Sequence, residues 1–197
     1  KSIFNDYAYG SGGYGYGIAV DSSGLWVAVG SGLTNTIAYS YDGINWNGLG
    51  KSIFSSHGRS VAVDSSGIWI AVGSGTNAIA TSSNGIAWMP QTNTEFVNSG
   101  TGYSVACDSS GIMVAVGSGI NTIIRSTDGG ITWNGLGNSI FTDFGYGIAV
   151  SSTGLWVAVG SGTNTMAYSN NGVDWTGLGK SIFNDYAYGS GGYGYGI

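Results

Sequence analysis

The sequence predicts an all-β, β-propeller-like chain: four tandem four-stranded antiparallel blades of 43–44 residues, followed by the start of a further blade. Three observations carry this expectation. One pattern recurs four times, as Gly17-Ile-Ala-Val-Asp-Ser-Ser-Gly24, Ser60-Val-Ala-Val-Asp-Ser-Ser-Gly67, Ser104-Val-Ala-Cys-Asp-Ser-Ser-Gly111 and Gly147-Ile-Ala-Val-Ser-Ser-Thr-Gly154, in steps of 43, 44 and 43 residues. Repeats near 40–45 residues with short strands are the signature of propeller blades. The composition agrees: 38 of 197 residues are Gly, 13% are aromatic and one is Pro, which suits short strands joined by tight turns and excludes collagen and disorder. No stretch places apolar residues at i, i+3 and i+4, so no helix is expected.

Each copy divides into four strands. The first centres on Ile18–Val20 and ends in Asp21-Ser22-Ser23-Gly24. That tetrapeptide makes a turn, because Asp and Ser bond to nearby backbone and Gly accepts positive φ. The second, Leu25 to Val29, is apolar on both faces, as a strand sandwiched between layers must be. Its counterparts begin at Ile68, Ile112 and Leu155, and all four are expected to be buried. The third runs over residues 36–40, and the fourth holds Trp46 after the Asp42-Gly43 hairpin signal. The resulting units are 18–60, 61–104, 105–147 and 148–196, with residues 1–17 as a crossing segment and 197 opening the next blade.

Residues 1–18 and 180–197 are identical, 179 positions apart, so 1–17 duplicates 180–196. The fourth unit reaches Ile197 after 49 residues, lengthened by additional Gly and Tyr. The run ends inside a strand pattern, where backbone groups need partners. The expectation is one portion of a longer repetitive or helical array.

A second motif sits at fixed phase. The third copy reads Ser126-Thr-Asp128-Gly-Gly130-Ile-Thr-Trp133; the others, one residue shorter, carry Ser40, Asp42, Gly43 and Trp46, then Ser82, Asn84, Gly85 and Trp88, then Ser169, Asn171, Gly172 and Trp175. These residues resemble the Asp-box, or BNR-repeat, β-propellers, a group that includes sialidases and sortilin-like receptor domains. The third copy matches the motif in full. Its physics is structural: Asp or Asn accepts backbone N–H bonds within its own turn, Gly takes the left-handed conformation, and Trp folds over the hairpin.

The activity found in parts of that family does not carry over. Sialidases of the group use three arginines around a carboxylate; this chain has Arg59 and Arg125, at unrelated phases of the repeat, and Glu95 is its only Glu. Nothing singles out a carboxylate pair for glycoside hydrolysis. The one histidine, His57, has no nucleophile elbow to serve and is expected in a solvated crossing loop. Cys107 reads as a small core hydrophobe. No catalytic residue, metal site or cofactor is expected. Five basic residues make no basic patch, which argues against nucleic acid, and no apolar run is long enough to insert into a membrane.

Three recurring sets remain as candidate ligand or assembly contacts: Trp26, Trp69 and Trp156 on second strands; Asn35, Asn77, Asn121 and Asn164 in the following loops; and the tyrosines of the Gly-rich segments, Tyr7, Tyr9, Tyr14 and Tyr16 with their copies Tyr186, Tyr188, Tyr193 and Tyr195. Each has an ordinary structural role as well: interblade core for Trp, left-handed turn for Asn, local packing for Tyr. With only 8% charged residues, like units meet with little repulsion. The reading is a non-enzymatic structural or interaction protein, building an extracellular or surface filament, fibre or array from copies of itself. The alternative is a carbohydrate-binding lectin with one shallow site per blade. An Asp-box glycoside hydrolase is the weakest reading.

Overall fold

The computed structural model describes residues 3–4, 13–91, 96 and 100–183. The described residues form strands and turns only. They build four antiparallel sheets in simple meander order. Blade 1 holds β1 (Tyr14–Val20), β2 (Trp26–Ser31), β3 (Ile37–Ser40) and β4 (Asn47–Gly48). Blade 2 holds β5 (His57–Val63), β6 (Trp69–Ser74), β7 (Ile79–Ser82) and β8 (Met89–Pro90). Blade 3 holds β9 (Gly102–Cys107), β10 (Met113–Gly117), β11 (Ile123–Ser126) and β12 (Asn134–Gly135). Blade 4 holds β13 (Phe144–Val150), β14 (Trp156–Ser161), β15 (Met166–Ser169) and β16 (Thr176–Gly177).

The repeat in sequence becomes a repeat in register: Ile18 faces Ala28, Val61 faces Ala71, Val105 faces Ala115 and Ile148 faces Ala158. The turn chemistry behind it is as the sequence implies. Asp21 Oδ1 accepts the N–H groups of Ser23 (2.9 Å) and Leu25 (3.0 Å), and Gly24 takes φ 87°. Blade 4 has Ser151 in place of this Asp, and its Oγ accepts the Leu155 N–H instead at 3.0 Å.

First strands pack on first strands, β1 on β5, β5 on β9 and β9 on β13, so they line the inside of the arc. The core lies between blades. Leu25, Val27 and Val29 meet Val61, Trp69 and Ala71; Ile70 and Val72 meet Val105, Met113 and Ala115; Val114 and Val116 meet Ile148, Trp156 and Ala158. Each junction is plugged by a buried phenylalanine from the crossing chain: Phe54, Phe96 or Phe141. The rings lie on Gly73, Gly117 and Gly160 at the ends of the second strands. A Cβ at those glycines would come within 2.8, 3.0 and 2.6 Å of the ring.

Three local expectations are corrected. The fourth strands are two residues long and begin after the tryptophan, because each indole turns back onto its own hairpin. His57 opens β5 and is half-buried, rather than lying in a solvated loop. Leu155 is 39% exposed, whereas its counterpart Leu25 is 6% exposed, because the turn of a following blade covers Leu25.

Candidate functional site

The Ser-x-Asp/Asn-Gly turns are closed units. In blade 1, Ser40 Oγ donates to Asp42 Oδ1 (2.9 Å) and accepts from Gly43 N–H (3.0 Å). Asp42 Oδ1 also accepts from the N–H groups of Ile44 (2.9 Å) and Asn45 (2.7 Å). Ser82 with Asn84, Ser126 with Asp128 and Ser169 with Asn171 repeat the serine-to-acceptor bond. The extra residue of blade 3 is absorbed by two successive left-handed glycines, Gly129 (φ 74°) and Gly130 (φ 80°). Trp46, Trp88, Trp133 and Trp175 each donate their indole N–H to the carbonyl of Gly43, Gly85, Gly130 or Gly172, at 3.1, 3.0, 3.0 and 3.3 Å.

This network sets the local electrostatics. The Asn45 backbone and side-chain N–H groups, then the Ile44 N–H and the Ser40 hydroxyl, hold Asp42 far below the usual carboxylate range. At Asp128 partial burial would raise the carboxyl, but hydrogen bonds from Thr132, Ser126 and Ile131 outweigh it and hold the group low. Both acids are fixed as anionic acceptors for their own turns.

The recurring asparagines fasten the crossings. Asn164 Nδ2 donates to the Ile140 carbonyl on the incoming crossing (2.8 Å), while its Oδ1 accepts the Gly179 N–H on the outgoing one (2.9 Å). Asn35 does the same with Ile3 (3.1 Å) and Gly50 (2.9 Å). Asn77 reaches the Ile53 carbonyl at 2.7 Å, and Asn121 accepts from Gly137 at 2.8 Å. The chain must pass so close that Gly48, Gly135 and Gly177 have no room for a Cβ beside these amides.

Of the second-strand tryptophans, Trp69 and Trp156 are buried between blades, while Trp26 is half-buried. Tyr7, Tyr9, Tyr186, Tyr188, Tyr193 and Tyr195 lie outside the described residues, as do Glu95, Asp6 and Asp185. Cys107, at the end of β9, is half-buried against the second junction. Burial first, then the charges of Asp64 and Asp108, pushes its thiol up to about 12.

The inner face carries an aromatic ladder of which sequence reasoning singled out Tyr16 and missed the rest. A register shift in each first strand, a β-bulge, falls at one residue: Tyr16, Arg59, Tyr103 and Tyr146. Bulges re-aim side chains, and these four lie in contact one after another. The Arg59 guanidinium lies 5.1 Å from the Tyr16 ring centre and 5.5 Å from that of Tyr103, and Tyr103 lies 5.7 Å from Tyr146. Burial, then the positive charges of Arg59 and Lys51, holds His57 below the ordinary imidazole range. The available signal was the shared phase of these residues, three before each first-strand Ala-Val or Ala-Cys pair.

Two shallow grooves occupy equivalent places between blades. One is lined by Ile37, Leu49, Ile53 and Trp88 with a cavity of about 100 Å³; the other by Ile123, Leu136, Ile140 and Trp175 with about 270 Å³. Ser52 and Ser139 stand at matching positions in the two grooves. Apart from the grooves, the largest exposed apolar groups on one strand are on β1, where Tyr14, Tyr16, Ile18 and Val20 are all exposed.

No protein-family description and no curated protein matches the chain. Solved structures do. YCF48 from Cyanidioschyzon merolae is similar at 18% identity and TM-score 0.60, over 86% of this chain and 57% of that one. A chain of a nidogen/laminin complex gives 14% and 0.66, over 93% and 67%. Virginiamycin B lyase from Staphylococcus aureus gives 15% and 0.66, over 90% and 57%. The chain has a β-propeller fold. It spans rather more than half the length of the YCF48 and lyase chains. Among the described residues no three His, Cys, Asp or Glu side chains gather as metal ligands, and no helix is long and apolar enough to cross a membrane.

Proposed function

We propose that this chain is a non-enzymatic structural and interaction protein, a non-catalytic relative of the Asp-box propellers, whose blades build a filament, fibre or surface array from copies of itself. One observation carries the reading. The polar side chains that recur in every blade are engaged by the chain's own groups: Asp42 and Asp128 by their own turns at the surface, Asn35 and Asn164 by the crossings, the indoles by turn carbonyls. Beside these polar turns the repeats leave large apolar side chains on the outside, including Ile18, Val20 and Leu155 on the end blades. Surfaces of that composition suit contacts between proteins. The likeness to a chain of the nidogen/laminin complex, itself a protein assembly, points the same way.

A second reading, carbohydrate binding, is favoured by the two equivalent grooves, each with a tryptophan wall and a serine. Electron microscopy of the concentrated protein beside a glycan array separates the two. Filaments or higher-order particles with no glycan signal support the structural reading. Monomeric particles with specific glycan binding that Trp175→Ala abolishes would replace it with the second.

A further inference from the structure

The three blade junctions share one construction. The second strand of a blade presents an aliphatic face, Leu25, Val27 and Val29 in blade 1, and the first strand of the next blade sets one aliphatic side chain on it. These inserted residues, Val61, Val105 and Ile148, are 7%, 5% and 4% exposed. The following blade also lays its Ser-x-Asp/Asn-Gly turn over the outer part of that face: Gly85 sits on Leu25 and Val27, Gly130 on Ile70, and Gly172 on Val114.

Among the described residues both halves of this construction occur once more without a cover. Ile18 stands at the phase of Val61, Val105 and Ile148, yet it is 57% exposed, and β1 packs on β5 without comparable packing against β13. Among the described residues the Gly43 turn, which would lie on a preceding blade, has its own Trp26 as its near neighbour. At the other end Leu155 is exposed and Val157 half-buried, although Val27, Ile70 and Val114 at the phase of Val157 are all fully buried.

The two free faces are copies of a pair that already fits. Residues 24–32 and 154–162 are both Gly-Leu-Trp-Val-Ala-Val-Gly-Ser-Gly, so the free face of blade 4 has the sequence on which blade 2 is seated. Residues 16–20 and 146–150 are both Tyr-Gly-Ile-Ala-Val, so the free strand of blade 1 has the sequence with which blade 4 is seated on blade 3. Neither of these strand segments contains a charged residue, so joining them strands no charge away from water.

We infer that a second copy of this chain docks head to tail, with Ile18 and the Gly43 turn of one copy seated on Leu155 and Val157 of the next, in the geometry of the internal blade junctions. The inference rests on the assembly reading above and names its interface. A head-to-tail contact is heterologous, so it generates either a closed ring of few copies or an open helical filament.

Single-end variants test it. Ile18→Lys kills the head and Leu155→Lys the tail. Both side chains are exposed in one copy, and unchanged melting curves check that each variant folds. Each alone is expected to sediment as a monomer, its association weakened roughly a hundredfold or more by a lysine placed in an apolar contact. Mixed in equal amounts they are expected to form a one-to-one dimer, because the intact tail of the Ile18→Lys chain meets the intact head of the Leu155→Lys chain. A mixture that stays monomeric overturns the inference. So does dimerisation of Leu155→Lys by itself, which would mean that heads pair with heads. If the unaltered chain assembles and neither variant changes its assembly, the interface is wrong and the array reading stands; if the unaltered chain never assembles, the array reading falls with it.

Discussion

Replacing Asn164 tests how the crossings are held. Its amide bridges two chain segments remote in sequence, giving a hydrogen bond to the Ile140 carbonyl at 2.8 Å and taking one from Gly179 N–H at 2.9 Å. Asn164→Ala removes both. At a net 0.5–1.5 kcal/mol each, the loss is about 1–3 kcal/mol. For a chain of this size that lowers Tm by roughly 2–12 °C. Asn164→Asp is the sharper probe. Its Oδ1 still accepts from Gly179, but an anionic oxygen replaces the donor and faces the Ile140 carbonyl. Near neutral pH the Asn164→Asp protein should therefore be less stable than Asn164→Ala. The carboxyl, destabilised when charged, has a folded-state pKa above its unfolded value of about 3.9. Its deficit relative to the unaltered protein is thus largest at neutral pH and shrinks as pH falls through the folded-state value. Urea unfolding of the three proteins at several pH values measures this. A Cβ on Gly177 would lie 2.3 Å from Asn164 Oδ1, so Gly177→Ala should also destabilise, and should cost less on the Asn164→Ala background. An Asn164→Asp protein as stable as the unaltered one at neutral pH, or additive Gly177 and Asn164 effects, would refute the bridging role.

Further outcomes follow from burial and charge. Val27 is fully buried at the first junction, so Val27→Asp leaves an unpaired charge there and should prevent cooperative folding, as seen by loss of a sharp melting transition. Trp133 is 5% exposed, and Trp133→Ala should cost about 3–5 kcal/mol in denaturant titrations, more than the same change at half-buried Trp46. Asp42 and Asp128 are held low, so the stability they add is present above the unfolded carboxylate range and is lost as pH falls through their folded-state values. Blades 2 and 4 already use Asn84 and Asn171 at this place. The double variant Asp42→Asn, Asp128→Asn should therefore lose less stability on acidification than the unaltered chain, and an unchanged acid transition would contradict the turn role.

The all-β class and the four-stranded blades were legible because a 43-residue recurrence and turn residues are local signals. Ser22 and Ser23 beside Asp21, and Gly43 beside Asp42, act within their own few residues, so their roles follow from their neighbours. The crossings were not legible in the same way. Phe54 and Phe141 recur in the sequence, but their plugging role depends on Gly73 and Gly160, 19 residues further on in each case, leaving room for a ring. Asn35 and Asn164 looked like left-handed turn residues; their partners lie 15–32 positions away, and only the path of the folded chain brings them together. The Tyr16, Arg59, Tyr103 and Tyr146 ladder depends on a bulge, which shifts register by one residue and breaks the simple alternation that sequence reading relies on. The exposure of Ile18 and Leu155 could not be read at all, since their neighbours in sequence are those of buried counterparts.

Sedimentation of the unaltered 197-residue chain over a wide range of concentration tests the central claim most directly. The account predicts a mass that rises with concentration above that of one copy, ending in closed rings or growing filaments. A single-copy mass across the whole range, with Ile18 and Leu155 open to solvent throughout, would contradict it.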